Sequence, residues 1–425
     1  TEGARWVIAG KSAVRAGVAR DVVPLSVLDL APIGSHSTAT TALATSTQLV
    51  RLAEELGFRR YWVAEHHGMP GIASSAPAVL IAHLAAVTER IRVGSGGVML
   101  PNHQPLVIAE QFGTLDALHP GRIDLGIGRA PGTDQRTARA LRRGTAPLGA
   151  DDFPEQLGEL LAYFRGDGPV AAVPAKGQDP AVWLLGSSGY SAQLAGLMGL
   201  PFAFAHHFSS ENTLPALELY RRMFRPSQVL DAPYALIAAS VLCAPDDAEA
   251  HRLALPSALQ FLQLRLGRPG PVPTPEEAAA YPYTAEERGF VDDRLAGQVI
   301  GSPETVRAGV TELVERTGVD ELMVVTNTHD GADRLRSYRL LAEALDAAAA
   351  PATSGTTGSW QDAGRFGASP SGDFICVGAL SDDADLAFAQ VAPSGRMQLQ
   401  PFTVASSAGV EEAVALRVHL RVRHR

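Results

Sequence analysis

The sequence predicts an α/β protein whose main body is a (β/α)8 TIM barrel with insertions at the active-site mouth, preceded by an N-terminal arm and followed by a C-terminal extension. Three observations predict it. Across residues 24–350, short apolar runs rich in β-type residues alternate with longer amphipathic segments, as parallel strands alternate with their covering helices. The strand-like runs number eight, the count at which such a sheet closes into a barrel. Several amphipathic segments stop at a glycine, among them Gly57, Gly199 and Gly318, which supplies the left-handed residue after a helix.

In chain order the strand runs are 25–30, 61–64, 91–100, 123–127, 182–185, 202–205, 234–243 and 321–326. Helical periodicity lies between them, for instance at 45–56, 77–88, 105–118, 191–198, 305–317 and 330–345. Two interruptions, 130–180 and the Pro-rich 266–298, exceed the short loops of such units and are candidates to wall the mouth. Residues 1–23 read as an arm outside the barrel domain 24–350. Residues 351–373, rich in Ser, Gly and Thr, read as a linker. The extension 374–425 carries some alternating apolar residues but no assignable fold.

With 46% hydrophobic and 19% charged residues, the chain belongs with soluble globular proteins rather than disordered ones. The net charge of -9 and the absence of a clustered basic face argue against nucleic acid as a partner. Two distant cysteines, Cys243 and Cys376, form neither a redox pair nor a disulfide framework. No apolar stretch is long enough to span a membrane, and Arg5, Lys11, Arg15 and Arg20 interrupt the first apolar runs. A cytoplasmic protein is therefore expected.

Candidate chemistry gathers at the ends of the predicted strands, where barrels place their active sites. The run Tyr61-Trp62-Val63-Ala64-Glu65-His66-His67 delivers a carboxylate and two imidazoles, of which at most one imidazole faces the mouth, because side chains alternate. Read by itself, the pair is either functional or satisfied by carbonyls, with Glu65 bound to an arginine. It lacks the helical spacing of a zinc motif and no third ligand follows, so no metal is expected. Next, Gly94, Gly96 and Gly97 interrupt a strand, which points either to a planar ligand against the backbone or to a β-bulge.

The stretch from Gly121 to Gly132 fails as a dinucleotide fingerprint, since its third glycine falls one residue late and Pro131 intervenes. Arg129 at its end suits either a grip on phosphate or a surface ion pair. In Trp183-Leu184-Leu185-Gly186-Ser187-Ser188-Gly189-Tyr190-Ser191, a Gly/Ser turn opens a helix. Such a turn is an anion site or plain N-capping by Ser188 or Ser191, and its spacing is not that of a serine-hydrolase elbow. Gly10-Lys11-Ser12 ends like a P-loop, but Arg5 stands where the upstream glycine should be. His206 and His207 reach the same rim, one facing a ligand or both supporting a loop.

Together, the stretches AEHH, GSGGVMLPNH, HPGRIDLGIGRAPGTD and LGSS…GLPFAFAHHF resemble the luciferase-like monooxygenase family, in its bacterial FMN-type branch, over residues 24–350. The resemblance implies a catalytic His66 that manages protons beside the flavin, and a cis Gly96–Gly97 peptide lining the cofactor. It implies a flavin phosphate held by Arg129 and by the Gly186, Ser187, Ser188 and Ser191 turn. A separate NAD(P)H:flavin reductase would supply FMNH2, O2 would add at the flavin C4a, and the hydroperoxyflavin would oxidise a small organic substrate. A homodimer is expected on the same ground.

Where the luciferase has a reactive cysteine and an acid, this sequence has Gly128 and Ser187. Light emission and the aldehyde substrate are therefore not carried over. The alternatives are a coenzyme F420-dependent oxidoreductase of the same fold, transferring hydride without oxygen, and a barrel that binds flavin without turnover.

Overall fold

The computed structural model describes residues 23–130, 135–141 and 152–345, together with 374–376, 388–391 and 397–399. The chain falls into two compact units, Thr1–Phe366 and Gly367–Arg425. The expected arm, apart from Val23, and the expected linker lie outside the described residues.

The first unit contains the parallel strands β1 (Leu25–Asp29), β2 (Arg60–Val63), β3 (Arg92–Met99), β4 (Ile123–Gly128), β5 (Ala181–Gly186), β6 (Phe202–Phe204), β7 (Ala235–Cys243), β8 (Val299–Gly301) and β9 (Glu321–Val325). β1 to β7 and then β9 close a barrel, with β6 pairing to β7 and β9 pairing to both β7 and β1. Its eight members are the eight runs read from the sequence. β8 was not among them. It pairs with Val241–Cys243, beyond the Ser240–Val325 end of the β7–β9 ladder, and three residues carry too little periodicity to be recognised.

Twelve helices are described: α1 (Ala39–Glu55), α2 (Pro77–Ala86), α3 (Pro105–Leu118), α4 (Gln135–Leu141), α5 (Phe153–Arg165), α6 (Gly189–Met198), α7 (Thr213–Met223), α8 (Asp247–Arg265), α9 (Pro275–Ala280), α10 (Ala285–Ala296), α11 (Pro303–Thr317) and α12 (Gly331–Ala344). Threonine caps and proline starts set many of their beginnings. Thr274 and Thr284 form full capping boxes with Glu277 and Glu287, which satisfies the first N–H groups of α9 and α10. The glycine stops behave as expected, with φ of 77° at Gly57, 63° at Gly199 and 57° at Gly318.

The 130–180 segment is only partly a mouth insertion. α5 buries Phe153, Leu157, Leu160 and Phe164, packs against α3 and ends at a left-handed Gly166. Gly113 of α3 touches the Ala175 backbone so closely that a Cβ there would have no room. This half of the segment is therefore the covering helix between β4 and β5, a role its 3.6-residue apolar spacing supports.

Strand alternation sorts side chains into two cores. Leu28, Trp62, Trp183, Leu236 and Met323 fill the barrel, while Val27, Tyr61, Leu184, Phe202 and Val324 face the helices. At the N-terminal end, the interior is floored by buried charge. Arg60 donates to Glu321 at 2.7 and 3.0 Å and to Asp124 at 2.8 Å, and the Trp62 indole N–H donates to Asp124 at 2.8 Å. Burial alone would favour neutral Arg60, but the two carboxylates reverse that and raise its proton affinity. The opposite end of the barrel is left for chemistry.

In the second unit, β10 (Phe374–Cys376), β11 (Phe388–Val391) and β12 (Met397–Leu399) pair antiparallel in that order.

Candidate active site

Beyond β2, which ends at Val63, come Glu65, His66 and His67; His66 is half-buried and its charge is felt by His207. Glu65 is buried. Its Oε1 accepts from His103 Nε2 at 2.7 Å and from His67 Nε2 at 2.9 Å, and its Oε2 accepts the Met99 N–H at 3.1 Å. Burial would raise the Glu65 carboxyl, but His103, His67 and the Met99 amide together hold it below its usual value. The expected arginine partner of Glu65 is thus replaced by two histidines and a backbone amide.

The ligand atoms of Glu65, His67 and His103 lie within 4.8 Å of one another, so His103 supplies the third group that local spacing did not. Hydrogen bonds of ordinary length from each imidazole to the carboxylate account for the cluster without an ion. Nothing in the sequence linked His103 to Glu65, because 38 positions separate them.

Beyond β6, which ends at Phe204, His206 and His207 lie in a turn closed by the Phe208 and Ser209 N–H groups on the Ala205 carbonyl. His206 Nδ1 lies 2.7 Å from the Thr213 hydroxyl. His207 Nδ1 lies 3.0 Å from the Ala238 carbonyl, which can only accept, so Nδ1 carries the proton. Burial pushes the His207 imidazole down to about 4 despite that carbonyl, and Arg294, His206 and His66 add repulsion. His207 is therefore neutral at pH 7, with Nε2 left as an acceptor. β2 and β6 stand opposite each other in the ring, so His66 and His207 come to the mouth from facing walls.

Gly96–Gly97 is a cis peptide bond, as the resemblance implies. The β3–β4 register shifts between Ser95 and Val98, so the bulge reading of the glycines is realised. A Cβ on Gly96 would meet Leu28 and Trp62 inside the barrel, and one on Gly97 would lie 2.7 Å from the Gly126 carbonyl oxygen. Close packing with neighbouring strands already requires both glycines.

At the ends of β4 and β5, the Arg129 guanidinium lies 4.0 Å from the centre of the Tyr190 ring, in the first turn of α6. Arg129 makes no ion pair among the described residues. Ser188 occupies the N-cap position of α6 with extended backbone, but its hydroxyl makes no capping hydrogen bond. Ser191 is buried and fills the space beside Gly186, where a Cβ would lie 2.7 Å from its own Cβ. Arg129 and the Gly186–Ser188 turn are thus brought together, whereas Ser191 packs beneath them. The turn lies at the same strand-end rim as His66.

The 266–298 segment extends over the mouth. Val272 donates to the Ile33 carbonyl at 2.8 Å and accepts from the Ser35 N–H at 2.7 Å, tying the segment to the loop after β1. Gly71, after β2, sits against the Gly270 carbonyl, and Gly68 sits against Thr137 of α4. On the β6 side, Phe208 meets Phe261 of α8 edge-on at 6.3 Å, Phe290 of α10 stacks on Phe261 at 6.1 Å, and the Arg294 guanidinium lies 3.5 Å from the Phe261 ring centre. Sequence reasoning assigned none of these three aromatics or Arg294 a role: Phe208 stood just beyond the end of a predicted strand run, but its partners on α8 and α10 are 53 or more positions away.

A model of the luciferase-like monooxygenase family matches residues 23–321. The luciferase-like monooxygenase of Escherichia coli K12 is 47% identical over 321 residues, covering 75% of this chain and 96% of its own length. The N-acetyl-S-alkylcysteine monooxygenase of Bacillus subtilis is 36% identical over 338 residues, covering 77% of this chain and 99% of its own. Among solved structures, apo-MsnO8 matches with a TM-score of 0.71 at 41% identity, over 77% of this chain and 98% of that one. No described helix is long and apolar enough to cross a membrane. With most of its length matched by the family model and by relatives covered almost end to end, the chain belongs to the luciferase-like monooxygenase family.

Proposed function

We propose that the protein is an oxidoreductase that binds reduced FMN, delivered by a separate NAD(P)H:flavin reductase, and uses O2 to oxidise a small organic molecule. The observation that carries this reading is the convergence, at one end of the barrel, of a cationic cradle and two imidazoles. Arg129 and the first-turn N–H groups of α6, with the Ser187 and Ser188 hydroxyls, are the groups that would hold the flavin phosphate. Ser191 and Gly186 hold that turn in shape. Gly96 and Gly97 are placed beside the flavin by the family resemblance, since neighbouring strands already fill the space next to both.

Reduced flavin, when bound there, supplies the electrons that activate O2. The residues of this chain do the rest. His66 takes or gives a proton at its imidazole, its backbone fixed by the 3.0 Å bond from its N–H to the Ser74 carbonyl. Neutral His207 accepts a hydrogen bond at Nε2 from the facing wall. The roof formed by 266–298 keeps water from the reacting centre. The name of the Bacillus relative makes an N-acetyl-S-alkylcysteine, oxidised at its thioether sulfur or the adjoining carbon, the first substrate to test. A cytoplasmic homodimer completes the proposal.

The test is anaerobic titration with FMNH2 and, separately, with reduced F420, followed by mixing with oxygenated buffer while flavin reoxidation is timed. FMNH2 binding with reoxidation kinetics that change in His66→Ala supports the reading. Preference for reduced F420, with no response to oxygen, moves the protein to hydride transfer and overturns it.

A further inference from the structure

Arg294 sits in an unusual position for a guanidinium. It lies on α10, in the segment that roofs the mouth, with its guanidinium carbon 3.5 Å from the Phe261 ring centre. Its Nε is buried and has no hydrogen-bond partner, and among the described residues no carboxylate pairs with the group. Burial without a compensating acid lowers its proton affinity to about 10, so it is still charged at neutral pH. Arg294 is half-buried, whereas the fully buried arginines of the barrel are paired with acids, Arg60 with Asp124 and Glu321 and Arg334 with Asp29, although Arg334 also keeps a buried NH1 without a partner. A purely structural reading, in which Arg294 complements the C-terminal dipole of α10 and stacks on Phe261, leaves a half-buried cation with no acid beside it among the described residues.

Its position relative to the chemistry follows from a chain of contacts. Phe261 meets Phe208, Phe208 follows His207, and His207 feels the charges of both Arg294 and His66. Arg294 therefore stands at the same mouth as the two imidazoles, beside an aromatic wall of Phe208 and Phe261. A half-buried cation next to apolar rings suits a ligand with an anionic head and an apolar body. A planar, forked donor suits a planar, two-oxygen acceptor best.

We propose that Arg294 is the substrate-recognition residue of this mouth, binding the carboxylate of an apolar organic acid whose body packs against Phe208 and Phe261. The proposal deepens the monooxygenase reading, since it names the substrate class of the same site, but its test requires no flavin.

The experiment is isothermal titration of the full chain, without flavin, with two matched pairs: 3-phenylpropionate and its amide, and N-acetyl-S-methylcysteine and its methyl ester. The acid should bind about ten- to a hundredfold more tightly than its neutral partner in at least one pair, the range expected for a hydrogen-bonded charge. Arg294→Met, which keeps an apolar stem on Phe261, should erase that preference. It should leave FMNH2 affinity unchanged and should not lower the thermal midpoint, because it removes a half-buried, unpaired charge. No acid preference in the wild-type chain, including no measurable binding of either acid, overturns the proposal. So does a preference that survives in Arg294→Met, or a midpoint that falls with the preference, which assigns Arg294 to structure. Failure of FMNH2 to bind would count against the monooxygenase reading alone.

Discussion

His66 and His207 enter the mouth from opposite strands of the barrel, and the His66 imidazole is close enough to His207 to lower its proton affinity. Both side chains are partly exposed, but the Ala238 carbonyl fixes His207 as one neutral tautomer whose folded pKa is lowered to about 4.

This lowered pKa predicts a pH effect on stability. His207 titrates near 4 when folded and near 6.5 in the free side chain, so between those values the unfolded chain binds the extra proton. Stability is full above pH 6.5 and falls as the pH drops toward 4. Allowing for the partial exposure of His207, this group should account for a loss of up to about 2 kcal/mol. Urea unfolding of the wild type and His207→Asn at pH 7 and pH 4.5 measures it. Equal pH sensitivity in the two proteins would show that His207 titrates normally.

Glu65 predicts the opposite behaviour. Its folded pKa lies below the unfolded value of 4.5, so its stabilisation is present above that pH and is lost as the pH falls through the depressed value. Glu65→Gln should cost about 1–3 kcal/mol at pH 7, the scale of impaired hydrogen bonds to a buried charge. The gap between variant and wild type should close in acid. Because Glu65 and His67 flank His66, flavin reoxidation should change as well, and a stability loss without that change would separate the network from the chemistry.

The two glycines of β3 differ in what a methyl group would strike. On Gly96 it would meet the Leu28 Cδ1 at 2.6 Å, the end of a flexible side chain, with Trp62 at 3.2 Å. On Gly97 it would meet the Gly126 carbonyl oxygen at 2.7 Å, part of a paired strand that cannot turn aside. Gly96→Ala should cost about 1–3 kcal/mol by overpacking, and Gly97→Ala more. Thermal or urea midpoints in the reverse order would refute this account of why glycine is needed.

The barrel was legible because its strands obey a two-residue alternation and its helices a glycine stop, both local properties of the chain. Alternation alone left open which of His66 and His67 faces the mouth, and the choice of His66 came from the family resemblance. His103 and Arg294 were not legible. Their roles depend on Glu65 and Phe261, which lie far away in sequence and come near only when β3 and α10 pack. α5 was misjudged as part of a roof because a long gap between strands was weighed above its own amphipathic face.

At the barrel floor, Arg60 joins β2 to β4 and β9 through Asp124 and Glu321. Arg60→Met removes the cation and leaves two buried carboxylates, of which Asp124 keeps Arg92 and the Trp62 N–H, while Glu321 keeps the Ser26 and Tyr234 hydroxyls and, as its one remaining cation, Arg59 at 3.7 Å. The expected loss is about 3–5 kcal/mol, the cost of breaking a buried ion pair on one side. It should appear as a lower urea midpoint, with FMNH2 affinity unchanged under folding conditions, since the floor lies at the far end from the mouth. A midpoint shifted by less than about 1 kcal/mol would mean that the carboxylates take up protons or reach water instead.

The phosphate cradle can be separated from the rest of the flavin site by removing the phosphate rather than the protein group. FMN and riboflavin share the ring system, so any difference in their affinity reports the anion site alone. Arg129 over Tyr190, with the opened turn at Ser188, should favour FMN by about ten- to a hundredfold, the range for a charge-assisted hydrogen-bonded pair. Arg129→Met should remove most of that preference by weakening FMN while leaving riboflavin where it was, as read from flavin fluorescence quenching. Equal weakening of both ligands would instead mean that Arg129 shapes the site through Tyr190, and the phosphate assignment would pass to the α6 amides alone.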